Sequence, residues 1–349
     1  MAEIRRVIAI NLAFAALLAS AAAGQTSSPS PTGLSRFEFA QAHMGTQFRI
    51  VLYARDAEIA AKASTAAFER IARLDATMSD YRETSELMMA CKQATRRWVR
   101  LSPDLFRILA RSQQMARRSG GAFDVTVGPV VRLWRRARRM NALPDAEKLA
   151  VARQQVGYRW LRLDARRQAM RLERSGMRID LGGIAKGYAA DAALAVLKAH
   201  GVSIALIAAG GDIVAGQPPP GSNGWTVAVR GLSSTDEATM IHLRLANAAV
   251  STSGDAEQFV EIDGARYSHI IDPRTGQALT IRRSVTVVAL NGTASDALAT
   301  AASVLGAARG RRLIDHTPGA AAHIEQMRGD RLLVSESKHW REIPQTPAR

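Results

Sequence analysis

The most informative stretch of the sequence is 179–187, where an aspartate, two glycines and a lysine follow a strand-like segment. Asp180 ends that segment, Gly182 and Gly183 form a turn, and Lys186 precedes a helical pattern. A glycine turn that opens a helix lets backbone N–H groups approach a phosphate, and the lysine adds a cation. The pattern indicates a site for a nucleotide or another anionic ligand, although an ordinary strand–turn–helix junction has the same composition.

A second candidate group is the pair Asp296 and Thr300, which lie four residues apart in a small, apolar helical segment. On a helix, this spacing puts both side chains on one face. A carboxylate and a hydroxyl are hard oxygen ligands that suit Mg²⁺, with backbone, water or phosphate in the other positions. The alternative is that Asp296 supports the helix N-terminus while Thr300 bonds back to the helix.

Two further segments carry side chains that could do chemistry. His269 lies near a strand end, where it could take up a proton at neutral pH, and a turn sequence follows at 272–276. In 120–124, two glycines would let a flat ligand approach, Phe123 could stack on it, and Asp124 could accept a hydrogen bond from a ring N–H or a ribose hydroxyl. Both segments also have a structural interpretation, as a lone structural histidine and as a helix end followed by a core phenylalanine.

The elements that would position these residues predict an α+β fold, with largely antiparallel sheets and packed helices in a single large domain. Helices are predicted at 56–77, 102–118, 144–155, 188–200, 295–305 and 307–315, with a short one ending near 88. Strands are predicted at 37–40, 47–52, 98–101, 203–209, 212–216, 225–230, 240–245, 248–253, 265–271, 285–290, 320–326 and 331–335, with a hairpin over 160–180. Ser102 and Pro103 are the expected start of the second helix.

The first residues resemble an export signal, with Arg5 and Arg6 before the apolar run 7–23. We expect a signal peptide at 1–24, a flexible linker at 25–35 and the folded domain at 36–340, hence a periplasmic protein; an uncleaved membrane anchor is the alternative. No cysteine ends the apolar run, so a lipid anchor is not expected. Cys91 is the only cysteine, which excludes an intramolecular disulfide.

The chain is strongly basic, with 47 Lys and Arg against 31 Asp and Glu and a formal net charge of +16. A surface with this charge can bind nucleic acid, a membrane surface or an acidic partner, or its cations can simply be solvated. The export signal argues against a nucleic-acid partner. The arginine run 132–139 is expected to form a loop near the site entrance, and we hypothesise that it steers an anionic substrate or an acidic target.

Eight short motifs occur in the same order as in a known protein family. Each motif alone is a weak signal, but the ordered set is specific. The chain resembles the ApbE family, the FAD:protein FMN transferases, over about 37–305. The motifs are MGT at 44–46, SDYR at 79–82, GAFDV at 121–125, DLGGIAKG at 180–187, GGD at 210–212, STSG at 251–254, HIIDPRTG at 269–276 and SDALAT at 295–300.

The resemblance implies an exported, Mg²⁺-dependent enzyme that splits FAD, moves FMN onto a threonine or serine hydroxyl of a target flavoprotein through a phosphoester bond, and releases AMP. It implies an acceptor among the flavin-carrying subunits of membrane or periplasmic redox complexes. Two alternatives remain open, namely an FAD diphosphatase that makes FMN and AMP, and a flavin-binding protein without catalysis.

The resemblance also assigns residues. Those implied to line the FAD site are Met44, Tyr81, Ala122, Phe123, Asp124, Asp180, Lys186 and Ile270. The implied Mg²⁺ ligands are the Gly183 carbonyl, Asp296 and Thr300. His269 is the candidate for assisting deprotonation of the acceptor hydroxyl, although Asp296 or a metal-bound water could accept that proton instead.

Overall fold

An eight-stranded antiparallel sheet forms the centre of the molecule. The computed structural model describes residues 33–232, 240–254 and 259–346 of the 349-residue chain. Its strands are β1 (Ser35–His43), β2 (Thr46–Ala54), β3 (Val99–Arg100), β4 (Leu161–Asp164), β5 (Ala169–Leu172), β6 (Ala205–Ala209), β7 (Asp212–Ala215), β8 (Trp225–Val229), β9 (Ile241–Leu245), β10 (Ala248–Gly254), β11 (Phe259–Ile262), β12 (Ala265–Ser268), β13 (Ile271–Asp272), β14 (Gln277–Ala278), β15 (Arg283–Ala289), β16 (Ala321–Arg328), β17 (Arg331–Glu336) and β18 (Gln345–Thr346). Its helices are α1 (Ala57–Met78), α2 (Glu86–Gln93), α3 (Pro103–Arg118), α4 (Gly128–Met140), α5 (Ala146–Arg153), α6 (Ala185–Ala199), α7 (Gly292–Leu305) and α8 (Ala307–Asp315).

The main sheet has the strand order β1-β2-β6-β7-β10-β15-β16-β17. Every neighbouring pair is antiparallel. At one end of the central strands, Asp212 in β7 pairs with Ala209 of β6 on one side and with Ser251 of β10 on the other. Smaller sheets join β18-β9-β8, β3-β5-β4, β11-β12 and β13-β14.

Helices α1, α6 and α7 pack together over one face of the main sheet and enclose the largest core cluster. Helix α1 forms because its apolar residues recur every three or four positions, and it begins at Asp56, whose side chain accepts a hydrogen bond from the Ile59 N–H at 2.8 Å. The other face of the sheet contacts β8 and β9 through a second core cluster that includes Trp225 and Trp340. The elements therefore form a single α+β domain, as predicted from the sequence.

Helices α6 and α7 cross at two glycines. A Cβ placed on Gly187 would lie 2.0 Å from the Gly292 carbonyl oxygen, and one on Gly292 would lie 2.7 Å from the Gly187 carbonyl oxygen. Neither position can hold a side chain while the two helices keep this spacing. The crossing brings the first turn of α6 beside the first turns of α7, which is where the candidate site lies.

Most predicted elements are found, and the exceptions have clear causes. The helix expected from Ser102 is α3, and the Ser102 hydroxyl caps it by accepting from the Leu105 N–H. The loop predicted for 132–139 is wrong, because these residues lie in α4. Val130, Trp134 and Ala137 recur at helical spacing and are buried, while the arginines between them mask this periodicity in the sequence.

Two strand predictions are also too long. The predicted hairpin over 160–180 is formed only by β4 and β5, and the predicted strand 265–271 is divided into β12 and β13. The predicted signal peptide and residues 25–32 of the predicted linker lie outside the described residues and stay predictions. Within 33–232, 240–254 and 259–346, no helix is long and apolar enough to cross a membrane.

Candidate functional site

One face of α7 brings together the residues predicted to bind a metal. Asp296, Thr300 and Val304 follow one another at intervals of four residues and therefore lie along one stripe of the helix. Gly183 lies against this stripe, since a Cβ on Gly183 would be only 2.9 Å from the Thr300 hydroxyl oxygen. The backbone of the glycine turn thus lies beside Thr300, and Asp296 is one turn away on the same stripe of α7.

Lys186 links two buried carboxylates, of which one lies on this stripe. Its ammonium nitrogen lies 2.8 Å from Asp212 and 3.7 Å from Asp296, whose side chains are 5% and 4% exposed. Asp296 also accepts a hydrogen bond from the Gly187 N–H at 3.2 Å. The lysine side chain itself keeps 26% of its surface exposed, so a ligand at the site can reach it.

Burial controls the charges of this group. Burial and the neighbouring Asp212 carboxylate raise the pKa of Asp296 to about 7, against the opposing effect of Lys186. Burial would lower the pKa of Lys186, but the charges of Asp296 and Asp212 outweigh it and raise that pKa. Lys186 therefore stays cationic at neutral pH, while Asp296 gains or loses its proton within the physiological range.

The residues present fit a magnesium ion. Asp296 contributes a carboxylate, Thr300 a hydroxyl and Gly183 a carbonyl, and all three are hard oxygen donors. The described residues contain no cluster of three or more His, Cys, Asp or Glu side chains that could hold a metal. An ion at this point would therefore depend on these few protein donors together with water or the phosphate oxygens of a ligand.

Two further contacts hold α7 in place. Asp191, one turn beyond Gly187 on α6, accepts hydrogen bonds from the Gly292 and Thr293 N–H groups at 2.7 and 2.8 Å and from the Thr293 hydroxyl at 2.6 Å. The hydroxyls of Ser251 and Ser295 are 2.8 Å apart and join β10 to the residue before Asp296. Since every partner is buried or half-buried, the position of Asp296 is fixed by the fold.

A second part of the site surrounds Tyr81, whose side chain is exposed. The Arg135 guanidinium lies 4.2 Å from the centre of the Tyr81 ring. The same guanidinium pairs with Asp80 and, at 2.8 Å, with Asp180. Asp180 also accepts from the Gly182 N–H at 2.8 Å, so the ion pair is anchored to the turn that carries Gly183. An exposed aromatic face beside this turn could support a flat ring.

The predicted residues of the glycine-rich segment 121–125 lie deeper than a stacking role would require. Ala122 packs with Ile270 and Val304 in a small buried cluster next to the stripe of α7. The Phe123 ring is 3% exposed and belongs to the main core, so it presents no open face to a ligand. Asp124 is buried and accepts hydrogen bonds from Thr126 and from the Tyr158 N–H, which makes it a support of this loop.

Met44 and His269 lie at turns. Met44 has φ 49° and forms the β1–β2 turn with Gly45 at φ 73°. A Cβ on Gly210 would lie 3.2 Å from the Thr46 hydroxyl oxygen, so this turn adjoins the β6–β7 turn that precedes Asp212. His269 is half-buried and follows β12, directly before Ile270 of the cluster around Val304.

Comparison with known proteins identifies the family of this chain. The family model described as "ApbE family" matches residues 44–324, which is most of the chain. The chain belongs to the ApbE family. Its relatives include an FAD:protein FMN transferase of Treponema pallidum (strain Nichols), 34% identical over 82% of this chain and 83% of that protein. Another is an FAD:protein FMN transferase of Klebsiella pneumoniae (strain 342), 31% identical over 78% and 79% of the two chains.

Solved structures of the ApbE family have the same fold. The flavin transferase ApbE from Vibrio cholerae superposes with a TM-score of 0.80 at 25% identity, covering 89% of this chain and all of that one. The ApbE protein of Thermotoga maritima gives a TM-score of 0.78 at 29% identity, covering 90% and 100%. The family and the fold class inferred from the sequence motifs are thereby confirmed.

Three residues of this ApbE-family site were not predicted as site residues. Asp212 lies in the GGD motif at 210–212, for which the sequence predicts no role, although it is the nearer carboxylate partner of Lys186. Arg135 belongs to the arginine run 132–139, which is predicted only to steer a ligand, and no sequence prediction gives a role to Asp191. Asp212 follows two glycines, and Asp191 lies five residues after Lys186, so a search for carboxylates near the glycine motifs could have found both.

Proposed function

We propose that this chain transfers FMN from FAD to a threonine or serine hydroxyl of an acceptor protein, in the presence of Mg²⁺. The observation that carries the proposal is the meeting of Gly183, Lys186, Asp296 and Thr300 at the crossing of α6 and α7. The names of the relatives point to the same reaction. The structure supplies the parts such a reaction needs, namely a cation, hard oxygen donors and exposed aromatic surface.

The reaction exchanges one phosphorus–oxygen bond for another. The acceptor hydroxyl oxygen attacks the phosphorus on the FMN side of the FAD diphosphate, and the bond from that phosphorus to the bridging oxygen breaks. AMP leaves with the bridging oxygen, and the hydroxyl proton passes to a base. Such phosphoryl transfers depend mainly on positioning and on neutralising the charge of the diphosphate.

Several residues of this chain can supply the neutralisation. Lys186 remains cationic, and its side chain is partly exposed to the site. It lies in the first turn of α6, where the backbone N–H groups favour an anion. Asp296, Thr300 and the Gly183 carbonyl would hold the magnesium ion, which supplies charge stabilisation at the diphosphate when bound. The Asp296 carboxylate must be deprotonated for that purpose, and its pKa of about 7 permits this at neutral pH.

Other residues would orient the flavin and receive the proton. The exposed Tyr81 ring, fixed by Arg135, offers a face for the isoalloxazine. Met44, Ala122 and Ile270 would line the rest of the flavin pocket, and Phe123 and Asp124 would support these residues from behind. His269 is the proposed base for the acceptor hydroxyl because an imidazole can accept a proton at neutral pH. Asp296 is the alternative base.

The proposal extends to partner and location. We infer that the acceptor is a flavoprotein subunit of a membrane or periplasmic redox complex and that this chain acts in the periplasm. The supports are the sequence resemblance and the predicted signal at 1–24, both independent of the site geometry. Nucleic acid is not an expected partner.

Mass spectrometry of a co-expressed acceptor fragment tests the transfer. We expect a candidate fragment to gain one FMN on a threonine or serine, and the same fragment with that residue replaced by valine or alanine to stay unmodified. Free FMN and AMP with an unmodified fragment would favour the diphosphatase. If FAD binds but is not cleaved with any of the candidate fragments, the result would favour a flavin-binding protein without catalysis.

A further inference from the structure

We propose that a groove between α4 and α5 binds an acidic segment of the acceptor protein and so presents its hydroxyl to the flavin site. This inference rests on the proposed function and names the partner surface of the same site. The groove has a volume of about 820 Å³. We call it the cationic groove, and its charged lining residues are Asp80, Glu83, Arg132, Arg135, Arg136, Arg139, Glu147, Lys148 and Arg178.

The charge of the cationic groove is unbalanced. Six of these residues are cations and three are carboxylates. Asp80 is paired with Arg135, and Glu83 is paired with Arg178 and Lys92, so two of the three carboxylates are already neutralised. Glu147 is the third. Positive charge therefore remains in excess in the cationic groove.

Three arginines form a single row in this groove. Arg132, Arg136 and Arg139 follow one another on α4 at intervals of four and three residues, which places them on one face of the helix. All three are exposed, and none has an ion-pair partner among the described residues. Across from them, α5 contributes Lys148 and the exposed, apolar Val151. The groove thus combines cations that have no ion-pair partner among the described residues with an exposed apolar side chain.

The dimensions of the row suit a short peptide. Arg132 and Arg139 are seven residues apart, or about 10 Å along a helix. Three to four residues of extended peptide cover the same length. Carboxylates spaced along such a peptide could pair with two or three of the arginines, and an apolar side chain between them could contact Val151.

The position of the groove favours the acceptor over FAD. Arg135 lines the groove together with Tyr81, and it is paired with Asp180, which is three residues from Gly183 and hence within about 10 Å of it along the chain. In the proposed reaction the diphosphate of FAD binds at Lys186 and at the oxygen donors around Gly183. It therefore cannot also occupy the row formed by Arg132, Arg136 and Arg139. A peptide in the cationic groove would instead end next to the flavin site, where its hydroxyl has to react.

Fluorescence anisotropy with a defined peptide tests this inference. The probe is a rhodamine-labelled twelve-residue peptide with one threonine and four Asp or Glu residues, and its matched partner carries Asn and Gln instead. We expect the protein to bind the acidic peptide at least tenfold more tightly than the amide peptide at low salt. The triple variant Arg132→Gln/Arg136→Gln/Arg139→Gln should lose most of that difference.

A matched control separates local from total charge. The variant Arg309→Gln/Arg311→Gln/Arg312→Gln removes the same charge from exposed positions on α8 and should bind the acidic peptide as the unchanged protein does. Equal loss in both triple variants, or an oligothymidylate of twelve nucleotides bound as tightly as the peptide, would overturn the inference in favour of nonspecific anion binding.

A measurement of FAD affinity tests the remaining explanation, in which the cationic groove binds FAD and not the acceptor. Titration of flavin fluorescence should give the same FAD affinity, within twofold, for the α4 triple variant and the unchanged protein. A tenfold weaker FAD affinity in that variant would assign the groove to FAD and overturn the inference. Mg²⁺-dependent AMP release is a separate measurement, so failure of the proposed function and failure of peptide binding can be told apart.

Discussion

The ammonium nitrogen of Lys186 lies 2.8 Å from a carboxylate oxygen of Asp212, and this ion pair joins the first turn of α6 to the first residue of β7. The sheet and the two crossing helices therefore meet at one charged group. Asp212 and Asp296 are both almost fully buried, and Lys186 is the cation that compensates for them. Removing one member of such a group leaves an uncompensated buried charge.

Lys186→Met should therefore destabilise the protein by about 3 kcal/mol, since two buried carboxylates would lose their cation. The double variant Lys186→Met/Asp212→Asn should lose less stability than the sum of the two single variants, because the unpaired charge is removed with its partner. Urea unfolding at pH 7.5 with a chelator present measures the free energy of unfolding of Lys186→Met, of Asp212→Asn and of the double variant. Additive losses would contradict the ion-pair account.

The raised pKa of Asp296 predicts an unusual dependence of stability on pH. The folded pKa of about 7 lies above the ordinary carboxyl value of 3.8, so the folded metal-free protein holds this proton more tightly. That contribution is full below the ordinary value and is lost as pH rises through the folded pKa. Relative to Asp296→Asn, the metal-free protein should thus lose stability between about pH 4 and 7.

Magnesium should reverse this loss, because coordination requires the deprotonated carboxylate. Thermal unfolding with and without Mg²⁺ should give a larger stabilisation at pH 8 than at pH 5.5 in the unchanged protein, and none in Asp296→Asn. A stabilisation by Mg²⁺ that is equal at the two pH values, or that persists in Asp296→Asn, would count against a metal at this carboxylate.

Arg135→Gln should weaken FAD binding about tenfold, since Asp80 and Asp180 lose their shared cation and Tyr81 loses the guanidinium against its ring. Arg135→Lys should recover only part of the loss, because an ammonium cannot bridge two carboxylates in the planar geometry of a guanidinium. Flavin fluorescence titration measures both, with the exposed Arg111→Gln on α3 as the charge-matched control. Unchanged affinity in Arg135→Gln would remove Arg135 from the flavin site.

His269→Asn should slow FMN transfer about a hundredfold, the usual cost of losing a general base, while FAD affinity stays within about threefold. Single-turnover labelling of an acceptor fragment measures the rate, and flavin fluorescence measures the affinity. If transfer proceeds at the normal rate, His269 is a structural residue and Asp296 becomes the base to test.

Gly187→Ala should break the contact between α6 and α7, because the added Cβ would lie 2.0 Å from the Gly292 carbonyl oxygen. Separation of the helices would move Lys186 away from Asp296, so we expect destabilisation of about 3 kcal/mol together with loss of Mg²⁺ binding. Gly201→Ala has open space around the added Cβ but a φ of 79°, so it carries backbone strain without touching the crossing, and it should keep normal Mg²⁺ affinity. Normal Mg²⁺ affinity in Gly187→Ala would mean that the crossing does not set the site.

The sequence predicts best what depends on local periodicity. Helix α3 begins at Ser102 and Pro103 as expected, because the capping serine and the proline act within one turn. The order of the motifs also predicts that Gly183, Asp296 and Thr300 act together. The structure brings Gly183 against Thr300, and the role of the three as metal ligands stays a prediction. Nothing in the local pattern of α7 says which glycine turn it contacts.

The wrong and missing predictions arise from contacts between distant parts of the chain. The loop prediction for 132–139 is wrong, because the five arginines there hide the helical spacing of the buried residues Val130, Trp134 and Ala137. Arg135 became part of the site only through Asp80 and Asp180, which are 55 and 45 residues away. Asp212 likewise meets Lys186 through the packing of β7 against α6, which no spacing within either segment reveals.

The central claim is that the group around Asp296 cleaves FAD and passes FMN to a hydroxyl. The most direct test is to incubate the purified protein with FAD, Mg²⁺ and an acceptor fragment, and to measure AMP and acceptor-bound FMN in the same sample. We predict equal amounts of the two, and neither product after chelation of the metal or in Asp296→Asn. AMP formed at full rate in Asp296→Asn, or AMP accompanied only by free FMN, would contradict the claim.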